Sequence, residues 1–237
     1  MFTKKEIVHL AISVVVLAFV FGFDDGQSIF VFSYWITNLF RILLLVAVSI
    51  LLRELFIKLT ANKFNSKAEY HIWLIERFWF RMKDAIKPGI PFGIIFSLIG
   101  AFVSKGKFFF TAIGVHDIKQ NLAARAGNKK LLLGDLQESL IVLTGIYVSI
   151  ILIYLGFIFD IEWLAAINFF LALYNLIPFS NLDGAKVFFG SFLLWIFSVL
   201  LVVFSYLLIP VNLVLALILG IIFSFGVVIY YYVKYMN

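Results

Sequence analysis

Apolar runs of span length occupy Ile7–Phe23, Ile29–Leu52, Leu140–Phe159, Leu164–Pro178, Phe188–Leu208 and Val211–Val233. A soluble chain cannot hide that much hydrocarbon, whereas a helix of about 20 apolar residues is what a bilayer requires. With 64% hydrophobic and 14% charged residues in 237, the chain is expected to be an all-α integral membrane protein of about six transmembrane helices. A further run, Pro88–Val103, opens with Pro88, Gly89, Pro91 and Gly93 and is short. It is expected to be a thin span or a re-entrant element buried in protein. The first run lacks the short core and small-residue cleavage site of a secretory signal, so it is read as a retained span.

The charges orient these spans. If Pro88–Val103 returns to the side it came from, 17 of the 19 Lys and Arg lie on one face. The connections at Asp24-Asp25 and Asp160–Glu162 then hold neither Lys nor Arg. The positive-inside rule makes the basic face and both termini cytoplasmic. The net charge of +6 serves this orientation; no compact basic domain is present to bind nucleic acid, and membrane lipid is the expected surroundings. One polytopic domain over residues 1–237 is expected, with cytoplasmic segments at 60–87 and 104–138. Within the latter, Lys107-Phe-Phe-Phe-Thr-Ala-Ile-Gly-Val115 has short-strand character, so a small strand-bearing insertion is expected there. The absence of cysteine rules out disulfides and thiolate metal ligands.

Polar groups inside the apolar runs are where function is sought. On a helix, Tyr34, Thr37, Asn38, Arg41 and Ser49 share one face, with Arg53 at its edge. Such a stripe forms either a bundle interface or a lined path, the latter the basis of a transporter reading. No internal repeat supports a transporter. Asn168 and Asn175 are seven residues apart and share a face as well, and Pro178 frees backbone carbonyls in the turn before it. These groups could bind an extended peptide or be satisfied by neighbouring helices. Asp183, at the end of this apolar run, needs a metal, a cation or a proton.

The segment Asn175-x-x-Pro178-x-x-x-x-Asp183-Gly184-x-Lys186 closely resembles the Asn–Pro–Asp–Gly signature of the site-2 intramembrane metalloproteases, in particular the small archaeal-type members. Arg53-Glu54-Leu55-Phe56-Ile57, followed by a basic segment, a turn and Ala68-Glu69-Tyr70, resembles the family run that opens with His-Glu-x-x-His. The resemblance implies that Asp183 stands at the third zinc-ligand position and Glu54 at that of the general base. It places Asn175 and Pro178 by the substrate groove. Leu143-Thr144-Gly145-Ile146 is the nearest match to the family's Ala-Gly-Pro element.

The zinc-binding chemistry is altered. Two imidazoles at i and i+4 on one helical face are what a metal would need, and Arg53 and Ile57 stand at those positions. Arginine has no lone pair to offer, and neither has isoleucine. No cofactor is therefore expected, with zinc implied only if ligands have been displaced. Lys5-Glu6-Ile7-Val8-His9 carries a partial pattern but opens the first span, and His71 and His116 are expected to be solvated or locally bonded, with a relocated site on either one left open. An ion pair of Arg53 with Asp183, shared by Glu54, is the expected replacement for the metal, against a snorkelling Arg53. The implied function is a catalytically inactive site-2 protease homologue that binds a transmembrane segment, acts as a membrane scaffold, or partners an active family member. The alternatives are an active zinc protease with displaced ligands and a small-solute transporter.

Overall fold

The computed structural model describes residues 2–24, 26–27, 29–77, 85–120 and 133–235. Parts of the expected cytoplasmic segments, 78–84 and 121–132, lie outside the described residues, as does Asp25 of the acidic connection. The protein is mostly helical, with eight helices and four strands among the described residues. In chain order these are α1 (Lys4–Phe21), α2 (Phe32–Lys63), β1 (Ser66–Ile72), β2 (Ile75–Arg77), β3 (Ala85–Ile90), α3 (Phe92–Ser104), β4 (Gly114–Gln120), α4 (Asp135–Ile158), α5 (Glu162–Asn175), α6 (Asp183–Gly190), α7 (Phe192–Leu208) and α8 (Leu213–Tyr235). Two of these, α4 and α8, are long and apolar enough to cross a bilayer. The chain divides into two compact units, Met1–Val48 with Glu69–His116, and Ser49–Ala68 with Asp117–Asn237.

In the first unit, α1 starts at Lys4, earlier than the apolar run, because Thr3 and Glu6 form a capping box. Thr3 Oγ1 accepts from Glu6 N at 3.2 Å and Glu6 Oε2 accepts from Thr3 N at 3.1 Å. The other carboxylate oxygen of the buried Glu6 accepts from Tyr70 N at 3.0 Å, and Tyr70 Oη donates to Ser13 Oγ at 2.8 Å. The glutamate of the partial Lys5-Glu6-x-x-His9 pattern thus ties β1 to α1.

The run Pro88–Val103 resolves into a strand end and a short helix. Pro88 and Gly89 lie in β3, which pairs antiparallel with β2 (Ile75 opposite Ile90, Arg77 opposite Ala85), and Pro91 caps α3. At 13 residues α3 is about 20 Å long, short of the roughly 30 Å of hydrocarbon in a bilayer. The expected strand at Lys107–Val115 needs correction: the strand β4 begins only at Gly114 and pairs with β1. The three phenylalanines before it serve ring packing instead. Phe110 meets Phe96 edge-on at 4.7 Å, Phe108 meets the same ring at 6.4 Å, and Phe109 stacks on Phe21 at 5.1 Å. Their neighbour Ile113 accepts from Trp73 N at 2.8 Å, and Gly93 leaves only 2.8 Å between its Cβ position and the Ala112 carbonyl.

The second unit is built on α4. Val142, Leu143, Ile146 and Ile150 of that helix pack with Ala172, Leu176, Val187 and Val202 of α5, the loop after it, α6 and α7. Helices α4 and α7 are also joined by a repeated Tyr–Ser contact, Tyr147 with Ser198 at 3.2 Å and Tyr154 with Ser205 at 3.3 Å. Each pair lies one heptad from the next, so the polar groups of two apolar helices satisfy one another. The run Phe188–Leu208 is not one helix: Ser191 is extended at φ −163° between α6 and α7. Likewise α5 stops at Asn175, because the backbone before Pro178 disfavours the helical conformation.

Candidate functional site

Arg53, Glu54, Ile57, Asn175, Pro178 and Asp183 all fall in the second unit, while Glu69 and Tyr70 at the end of the first motif belong to the first unit. α2 runs on past Leu52 to Lys63, so Arg53, Glu54 and Ile57 sit on continuous helix. Arg53, Glu54 and Ile57 are buried, at 6%, 3% and 1% exposure. Arg53 and Ile57 are i and i+4 and lie on one face. That face is closed by α4 at Gly145. A Cβ on Gly145 would stand 2.6 Å from Ile57 Cδ1 and 3.6 Å from Arg53 Nε. Ile57 then joins Ala61, Ala68 and Ile141 in an apolar cluster. Arg53 Nε is buried without a hydrogen bond, which leaves the terminal nitrogens as the donors of this guanidinium.

Asp183 opens α6 and is buried at 4% exposure. Its Oδ1 lies 3.1 Å from Lys186 Nζ, an i, i+3 ion pair within the helix. Lys186 belongs to the same motif, and its i, i+3 spacing from Asp183 is the sequence signal for this pair. Gly184 is the tightest point of the segment, since a Cβ there would collide with the backbone of Leu176 and Ile177. The carbonyls near Pro178 have found donors: Trp195 Nε1 donates to Leu176 O at 2.7 Å, Phe179 N to Ile177 O at 2.9 Å and Leu182 N to Phe179 O at 3.1 Å. Pro178 and Phe179 themselves are exposed.

Asn175 is buried and donates Nδ2 to Leu171 O of its own helix at 2.7 Å. Asn168, fully buried, reaches across to Ser49 Oγ at 2.8 Å and also donates to Leu164 O at 2.9 Å. The shared face of the two asparagines is therefore an inward one. The stripe on α2 divides instead: Ser49 is buried, while Tyr34, Thr37 and Arg41 are exposed.

Among the histidines, His9 is half-buried on α1 and His71 half-buried on β1. His116 is not solvated: it is buried on β4 with its ring edge-on to Tyr70 at 5.5 Å. Among the described residues no three His, Asp or Glu side chains are grouped as a metal site. The donor set at the motif does not fit zinc, because positions 53 and 57 offer no lone pair and one of the carboxylates is engaged by Lys186.

No family model and no solved structure matches the chain. It is 27% identical, over a 196-residue alignment taking in 78% of this chain and 84% of the relative, to a Methanocaldococcus jannaschii protein named as a candidate zinc metalloprotease. This similarity supports a relationship between the chain and the metalloproteases.

Proposed function

We propose that the chain is a non-catalytic homologue of the site-2 intramembrane metalloproteases that holds a transmembrane segment or acts as the partner subunit of an active relative. One observation carries this reading: the helix face that would present two imidazoles carries Arg53 and Ile57, and Ile57 is packed into an apolar cluster against Gly145. A metal needs lone pairs aimed into an open position, and that face has neither. In this reading Arg53 takes the place of the metal charge, its terminal nitrogens bridging the carboxylates of Asp183 and Glu54, with Lys186 as a second cation on Asp183. The apolar segments outside α4 and α8 complete a bundle of about six spans, with both termini on the basic, cytoplasmic side.

Co-reconstitution with a panel of single-span substrates in vesicles tests the reading. Wild-type protein is expected to cleave none of them above the level of Glu54→Gln, even with zinc supplied. Zinc-dependent cleavage that Glu54→Gln abolishes would establish an active enzyme with displaced ligands.

A further inference from the structure

We propose that Arg41 binds a lipid headgroup phosphate in the outer leaflet, and so fixes the depth of α2 in the bilayer. This inference rests on the membrane reading above. The exposed positions of α2 recur as Tyr34, Thr37, Arg41, Leu44, Val48, Leu51, Leu55 and Leu59, one face of a 3.6-residue helix. That face changes character once along its length. Up to Arg41 it is polar, and from Leu44 to Leu59 it is wholly apolar, as a surface against lipid tails must be.

The length of the apolar part fits a bilayer. Arg41 and the exposed Lys63 are 22 residues apart, which is about 33 Å along a helix, against roughly 30 Å of hydrocarbon. Two cations thus bracket a single membrane thickness. At the Arg41 end stand Phe30, Phe32, Tyr34 and Trp35, with Trp35 Nε1 donating to Phe23 O at 3.2 Å, and such aromatics collect at the membrane interface. Helical side chains lean toward the N-terminus, so the Arg41 guanidinium is directed toward Thr37 and Tyr34 and away from the tails.

No hydrogen bond or ion pair involves Arg41 among the described residues, and its charge calls for an anion at that level. Phosphate matches a planar guanidinium in geometry, and the exposed Tyr34 hydroxyl, two turns along the same face, can donate a further hydrogen bond, whereas the Thr37 hydroxyl is spent on Ser33 O at 2.8 Å. Arg41 then belongs to the headgroup level and lines no path through the membrane. The same arithmetic puts the midpoint of the bracket at Leu52, next to Arg53 and Glu54, so those buried charges lie near mid-depth.

The chain contains no cysteine, so single spin labels can be placed along the exposed face at 44, 48, 51 and 55 and their depths read in phosphatidylglycerol vesicles. The deepest label is expected at 51, with 44 close to the outer headgroups. Maximum depth at 44 would put Arg41 inside the hydrocarbon, in favour of a partner helix bearing a carboxylate, and would overturn the proposal while leaving the membrane reading intact. Labels that are all water-accessible would overturn both. Native mass spectrometry provides the ligand arm. Wild-type protein is expected to retain one more phosphatidylglycerol than Arg41→Gln and to show no such difference with digalactosyldiacylglycerol, which has no phosphate. Equal retention by the two proteins would overturn the phosphate assignment.

Discussion

Gly184→Ala is expected to destabilise the protein by about 3 kcal/mol, at the upper end of what overpacking costs, because the new methyl meets backbone and not a side chain that could turn away. Leu176 and Ile177 cannot retreat cheaply. Leu176 is held by Trp195 Nε1 through its carbonyl, and its side chain is part of the core that α4 organises. Denaturation in detergent micelles measures the loss, with Gly226→Ala as the control. No atom lies within 4 Å of a Cβ at Gly226, which is on an exposed helix, so the control is expected to lose nothing. Equal behaviour of the two variants would show that Asp183 is not positioned by the close approach of Gly184 to the α5 end.

Arg53→Ala is expected to cost about 3–5 kcal/mol, the range seen when one member of a buried charge cluster is removed and a carboxylate is stranded. The cost should be partly recovered in Arg53→Ala combined with Asp183→Asn, since the second change removes the stranded charge. Lys186→Met is expected to cost less than Arg53→Ala, because the lysine side chain is 21% exposed and water can take over part of its role. If Arg53→Ala loses under about 1 kcal/mol and Lys186→Met loses more, Lys186 alone neutralises Asp183 and Arg53 does not stand in for a metal.

The motifs were legible because they are made of residues whose chemistry does not depend on context. Arginine and isoleucine donate no lone pair to a metal in any fold, and the proposed loss of the metal site rests on that. Context determined the rest. The second apolar run ends at Leu52 because the charged residues Arg53, Glu54, Lys58 and Lys63 follow it, while the motif itself calls for helix over Arg53–Ile57. A helix is closed by backbone hydrogen bonds, and these residues are good helix formers, so α2 continues to Lys63.

The break at Ser191 was invisible to hydropathy, since Gly190-Ser191 interrupts the backbone without interrupting the apolar run. The close approach of Gly145 to Ile57 joins residues 88 positions apart. No local pattern announces such a contact, though a glycine inside a long apolar helix was a signal that something packs closely there. His116 was expected to be solvated or locally bonded, and of the two it is buried in β4 with its ring edge-on to Tyr70, a pairing that its own segment does not announce.

Zinc content, measured by elemental mass spectrometry on purified wild-type protein and on the Arg53→His, Ile57→His double variant, bears most directly on the loss of the metal site. A non-catalytic homologue will carry essentially no zinc as wild type. The double variant should take up about one zinc per chain and release it on Asp183→Ala. Wild-type protein that holds about one zinc per chain, and loses it on Asp183→Ala, would contradict a lost metal site and return the chain to the working proteases.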